Sequence, residues 1–420
     1  MKKAFTLVEM LLVVTIIAIL AAVSFPAISA VLETVRIASC GNNLRGMANA
    51  AKSHNSALDV LPTAGWGAYW TGDPNRGTKQ AQPGGWLFQL LPYMEQKQTW
   101  EMALGYDDAQ KRKDRLAKMN AVFLEIAYCP SSRAVDVYPY QGDLTTAPAT
   151  TSNVGFNFTA GAPVAKTDYA ACSGNAIAAT MPTFPSGPTE GEAVDCEPGR
   201  WVADCQAAIA ACEGGSDWLD VSNGAIPWLA AVSVAEITEN DGTSRTALFG
   251  EKFVSEDEGP RLACSDDNLS AYQGFSPSTV RQTLAYARNN IEYASMSGTT
   301  IDNSSLKDAV VVQLLSGTDA IVPAPPKDDS NSSASVEISC TNSFGGPHTV
   351  GFNMVTVAGG LHYIPYIVDL QAYQSLGSYN GTKNRNARTV IKVEDGDDNE
   401  KELPYVEEKP SMQEIIDSAG

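Results

Sequence analysis

Apolar residues run almost without interruption from Phe5 to Phe25, and Glu9 is the only charge among them. A helix of that length measures about 30 Å, the thickness of a bilayer's hydrocarbon core. Lys2 and Lys3 precede the run and belong on the cytoplasmic side, which places the rest of the chain outside. Beyond Pro26 the pattern takes on helical period. Ile37, Cys40, Leu44, Met47, Ala48 and Ala51 make one apolar stripe, and Gly41 and Gly46 weaken that helix without forbidding it. One helix is predicted from about Thr6 to about Asn55, loosened near Pro26, with its second half against a folded head. His54, near its end, reads as a surface or capping residue rather than a ligand.

After Leu61-Pro62 glycine, proline and aromatics become frequent and the apolar runs shorten. Residues 121–128, 231–237, 246–249, 309–315 and 349–357 read as strands, and 86–94 and 109–119 as helices. The expected class is α+β: a long N-terminal transmembrane or spine helix packed on an antiparallel sheet.

Composition narrows the function. The net charge of −19, from 48 acidic and 29 basic side chains, has the wrong sign for a nucleic-acid binder. Eight cysteines and three histidines include no C-x-x-C pair, so a zinc site of ordinary spacing is poorly supported. In an exported chain an even cysteine count favours disulfides, whose connectivity the sequence leaves open. Cys196, Cys205 and Cys212 fall in an unusual stretch, 181–227, rich in Gly, Pro and acids, which reads as a stapled insertion that Cys172 could join. No nucleophile elbow, phosphate loop or His-Glu-x-x-His occurs, and no enzyme is predicted. In the acidic tail Asp395, Asp397 and Asn399 imitate the start of a calcium loop. Glu400 and Val406 then break the EF-hand pattern, so a solvated charged turn competes with calcium; no other cofactor is expected.

A carboxylate inside an apolar span costs about 2.5–3.5 kcal/mol on insertion scales, so Glu9 needs a partner. An ordinary signal peptide or plain anchor supplies none, and the candidate cleavage sites after Ala27 and Ala30 fit poorly. Lys-Lys-Ala-Phe-Thr-Leu-Val-Glu, residues 2–9, resembles the cleavage and methylation motif of type IV prepilins and type II secretion pseudopilins. The resemblance implies cutting after Ala4 and methylation of Phe5 by a prepilin peptidase/N-methyltransferase. It also implies that Glu9 neutralises the N-terminal amine of a neighbouring subunit. Pro26 matches a proline common in these helices. The usual residue before the cut is Gly, and here it is Ala4.

Further blocks resemble large prepilin-like proteins with a C-terminal His-x9-Asp-Gly motif. They are Cys40-Gly-Asn-Asn-Leu44, Trp86-Leu with Leu91-Pro-Tyr-Met-Glu-Gln96, Cys129-Pro-Ser131, Asp241-Gly242-Thr-Ser with Gly250-Glu251, and His348 with Ala358-Gly359. The expected Asp is replaced by Ala358. The resemblance implies a pilin-like head with large insertions, and it leaves Cys40 and Cys129 as either a bridge from spine to head or two buried thiols. The implied organisation is leader 1–4, membrane segment 5–25, amphipathic continuation 26–58, extracytoplasmic head 59–390 and acidic tail 391–420. The expected function is a structural subunit of a type IV-like filament or type II pseudopilus. Its partners are the bacterial inner membrane and other pilin-like chains, and its head lies in the periplasm or on the cell surface. The alternative is a singly anchored surface-binding or adhesion protein using the same export signal.

Overall fold

The computed structural model describes residues 7–140, 155, 157–159, 161–174, 223–228, 230–252, 267, 269–276, 278–283, 286–287, 321–322, 344–348, 350–365, 373, 375–379, 394–395 and 399–400. For 23, 24, 26, 27, 29, 30 and the short strands at 286–287, 321–322, 394–395 and 399–400, only the backbone is described.

The N-terminal helix α1 (Leu7–Leu58) has 52 residues and runs unbroken through Pro26. At 1.5 Å per residue it is about 78 Å long. It behaves as two different objects. From Leu7 to Val35 the described large apolar side chains stand exposed, with Leu7 at 83%, Phe25 at 75% and Val35 at 60%. From Cys40 onward the predicted stripe is buried: Cys40, Leu44, Met47, Ala48 and Ala51 are all enclosed. Among the described residues no helix is long and apolar enough to cross a membrane. Side chains are described continuously from Leu7 only to Ala22, about 24 Å of helix.

Among the described residues the head adds four shorter helices, α2 (Trp86–Leu90), α3 (Lys97–Trp100), α4 (Ala109–Asn120) and α5 (Val234–Glu239). Its strands are β1 (Val137–Tyr138), β2 (Val164–Ala165), β3 (Tyr169–Gly174), β4 (Ala247–Glu251), β5 (Val280–Gln282), β6 (Tyr286–Ala287), β7 (Ile321–Val322), β8 (Gly351–Thr356), β9 (Leu361–Pro365), β10 (Glu394–Asp395) and β11 (Asn399–Glu400). The main sheet has five strands in the order β5-β3-β4-β8-β9. Its pairs are antiparallel except β3–β5, which is parallel, so the sheet is mixed and not purely antiparallel as expected. Both faces are covered. Tyr169, Ala171, Phe249 and Val355 join the large core shared with α1, while Ala170, Cys172, Phe352 and Met354 form a smaller cluster on the other side. That division follows the two-residue period of a strand.

Helix α4 and strands β4 and β8 lie where periodicity placed them. Residues 86–94 form α2 and then a 3-10 turn, Leu91–Tyr93, because Pro92 cannot continue the α ladder. Two predicted strands are not strands. Residues 231–237 lead into α5, where the Ser233 side chain accepts from the Glu236 backbone N–H at 3.0 Å. Ser-x-x-Glu is a helix-start signal that outweighs the alternating apolar residues before it. Residues 121–128 form turns and a 3-10 helix, Glu125–Ala127, whose Ile126 packs against the bare face of Gly46 on α1. The apolar residues there serve contact with the helix rather than a strand ladder. The predicted strand at 309–315 lies outside the described residues. His54 is buried, not a surface residue. Its Nδ1 donates to the Val60 carbonyl at 2.8 Å, and its ring meets the edge of Tyr93.

Candidate functional site

Glu33, Ile37, Cys40 and Leu44 succeed one another at helical spacing on α1, which puts them on one face. That face meets the sheet through a series of specific ties. Cys40 is disulfide-bonded to Cys129, with Cα atoms 5.4 Å apart. Asn43 Nδ2 donates to the Tyr128 carbonyl and to the Tyr169 hydroxyl, each at 3.1 Å. The Ile37 carbonyl accepts from Asn353 Nδ2 at 3.1 Å. Farther along, Lys52 Nζ donates to the Ala358 carbonyl at 2.6 Å.

At the centre of this junction His348, Glu251 and the disulfide are buried. His348 donates from Nδ1 to Glu33 Oε1 at 2.6 Å, and its Nε2 lies 3.5 Å from Glu251 Oε1 and 4.0 Å from Cys129 Sγ. Glu251 is held by Asn353, whose backbone N–H donates to Oε2 at 2.8 Å and whose side-chain amide donates to Oε1 at 2.9 Å. Burial acts to lower the His348 pKa, but the hydrogen bonds and charges of Glu251 and Glu33 outweigh it and raise the value above the usual imidazole range. An imidazolium bridging two carboxylates is therefore favoured beside the disulfide. Tyr169 is driven well upward, first by burial and then by the Glu251 charge.

A second buried polar centre adjoins it. Asp168 Oδ2 accepts from the Cys129 backbone N–H at 2.8 Å, and Oδ1 pairs with Arg133 at 2.7 Å. Arg133 also pairs with Asp267, which in turn holds Lys252 at 2.6 Å and accepts from Lys166 through its carbonyl. Burial lowers Lys166 to about 7 and Lys252 to about 8, against the pull of Asp267. Burial would raise Asp267; Arg133, Lys252 and Lys166 outweigh it and hold the carboxyl well below its usual range. Between about pH 7 and the ordinary lysine range near 10.5, an unfolded chain binds a proton that folded Lys166 has released, so stability rises with pH. In urea unfolding of the full chain in detergent, the gain from pH 7 to pH 9 is expected to shrink in Lys166→Met, by about 2 kcal/mol at most.

The remaining motif residues build turns. Gly242 has φ +86°, and its N–H donates to the Ile237 carbonyl at 2.9 Å, closing α5; Asp241 beside it is buried. Gly359 has φ +85° in the β8–β9 hairpin, where Thr356 N–H donates to the Gly360 carbonyl and Gly359 N–H donates to the Thr356 carbonyl. This is a three-residue hairpin loop, whose last position requires a left-handed residue. The loop docks on the Asp241 block, with Ala358 N–H donating to Thr243 and Val357 N–H to Thr246. The replacement of Asp by Ala358 thus leaves the turn intact, because the glycine carries the constraint. Gly359→Ala is expected to lower stability by about 1 kcal/mol or more, and Ala358→Asp to leave it nearly unchanged, in thermal melts.

Cys40, Cys129, Glu251 and His348, each singled out separately by sequence, therefore meet at one point, and Gly242 and Gly359 form a second meeting of motifs. Glu33, Asn353, Arg133, Asp168, Lys166, Lys252 and Asp267 were not singled out. Glu33 alone carried a signal, as an acid four residues before Ile37 on the apolar stripe. Cys172 does not join a bridge; its buried thiol donates to the Gly377 carbonyl at 3.7 Å. Ala4, Phe5, Cys196, Cys205, Cys212 and Asp397 lie outside the described residues. Asp395 and Asn399 face each other across the β10–β11 pair. Glu9 lies on the exposed arm of α1, and Pro26 lies within its unbroken backbone.

An exposed apolar helix joined to a mixed head, with Lys2 and Lys3 before it in the sequence, is consistent with a prepilin-like protein. The pattern described as "Prokaryotic N-terminal methylation motif" matches residues 1–25, and the family described as "Protein of unknown function (DUF1559)" matches residues 30–371. The chain belongs to that DUF1559 family. No curated protein and no solved structure matches it.

Proposed function

We propose that this chain is a structural pilin-like subunit whose N-terminal helix is held in the membrane before assembly and packed against other subunits afterwards. The supporting observation is the stretch of α1 from Met10 to Ala22, exposed and apolar on every side but for Thr15. A helix with no polar face is stable only when lipid or other apolar helices surround it. Each large side chain so covered contributes about 1.5–3 kcal/mol, so the arm favours insertion and then bundling. The methylation motif supports processing by a prepilin peptidase/N-methyltransferase and assembly with other pilin-like chains. The filament is of the type IV or type II pseudopilus kind, and the part of the head in it is structural rather than enzymatic.

The size of the head, most of the chain from residue 59 onward, favours a second reading as a singly anchored surface-binding protein, or a minor or tip subunit. A photocrosslinking residue placed at Val14 separates the two. Chain-to-chain adducts in cells are the expected result. Adducts to lipid alone would leave only the singly anchored protein.

A further inference from the structure

The junction centre is more than a tie between helix and sheet. The sulfurs of Cys40 and Cys129, a nitrogen of His348 and a carboxylate oxygen of Glu251 all lie within 4.8 Å of one another, and all four residues are buried. Sulfur, imidazole and carboxylate are the donors zinc takes, in a tetrahedron whose ligand atoms stand roughly 3.3–3.8 Å apart. His348 Nε2 is already 3.5 Å from Glu251 Oε1 and 4.0 Å from Cys129 Sγ.

The surroundings are also those of a ligand set. Nδ1–H of His348 donates to Glu33, which directs Nε2 toward the sulfurs and Glu251, the outer arrangement that fixes a metal-binding imidazole. Glu251 is oriented by two donors from Asn353. With both cysteines as thiolates the centre would gather several negative charges in a buried place, where Arg36, 3.8 Å from Glu33 and half exposed, offers only weak relief.

We propose that, in the chain whose Cys40 and Cys129 are still thiols, these residues with His348 and Glu251 form a buried site for a thiophilic divalent cation, zinc above all. Binding forms two metal–sulfur bonds, one metal–nitrogen bond and one metal–oxygen bond. It releases both thiol protons, and the Nε2 proton where His348 carries one, to solvent; no electron moves. Closing the disulfide instead passes two electrons to a disulfide-class oxidant, releases two protons and removes two of the four donors. Metal and disulfide therefore exclude each other.

The test uses the full chain in detergent, reduced with a water-soluble phosphine and titrated with cobalt(II) without oxygen, then with zinc. One cobalt per chain is expected, with the intense visible absorption of a tetrahedral thiolate complex, displaced by zinc and missing from the disulfide form. His348→Ala is expected to abolish that absorption. Glu33→Gln, altering a side chain one-third exposed and outside the ligand set, is expected to keep the fold and weaken binding about tenfold to a hundredfold. Lack of the tetrahedral signal in the reduced chain overturns the proposal. So does equal affinity in wild type, His348→Ala and Glu33→Gln, which would assign the metal to other cysteines.

Discussion

Replacing Glu9 with leucine is expected to leave the chain in the membrane and abolish its assembly into filaments. Insertion should improve, because removing a carboxylate from an apolar span recovers about 2.5–3.5 kcal/mol. Assembly should fail, because the new N-terminal amine of an adjacent subunit would enter an apolar bundle without a counter-charge. One unpaired charge there is strongly penalised, whereas the pair attracts across a medium of low dielectric. The two effects have opposite signs, which separates an assembly charge from a residue needed for folding or export. Membrane fractionation and filament shearing of the Glu9→Leu strain read both. Wild-type filaments from that strain would remove Glu9 from the assembly mechanism.

Cys129→Ser is expected to cost about 2–5 kcal/mol of head stability. The bridge joins residues 89 apart, and closing a loop of that length removes about 4–5 kcal/mol of unfolded-chain entropy in the loop model. The bridge also fixes the Cys129 segment, whose backbone N–H is held by Asp168 and so by the Arg133 network. Loosening it should therefore expose α1 as well as the turn. Limited proteolysis between Gly41 and Ala51, slow in wild type, is the expected local sign, and an equilibrium unfolding curve gives the magnitude. An unchanged midpoint would mean that the ties of Asn43, Glu33 and Lys52 hold the junction unaided.

The legible parts of this molecule are those governed by local periodicity. The stripe from Cys40 to Ala51 was visible because one face of α1 is buried against the head and the other is wet. Strand β3 was missed because both of its faces are buried, so Tyr-Ala-Ala-Cys-Ser-Gly shows no alternation. The stretch at 231–237 misled because its apolar alternation precedes a capping box. Cys40, Cys129, Glu251 and His348 were each recognisable from family blocks, but their convergence was not. They come from a helix, a turn, a strand and a loop, and only the mixed sheet brings them together. Their sequence separation is also why no ordinary metal spacing could be read. The Arg133–Asp267–Lys252 network left no signal, since ion pairs between distant segments have no periodicity.

Processing of this chain as a prepilin is read at its mature N-terminus by mass spectrometry. A chain beginning at N-methylated Phe5 is expected. A chain that retains Met1, or one beginning at Ile28 or Val31, would contradict it.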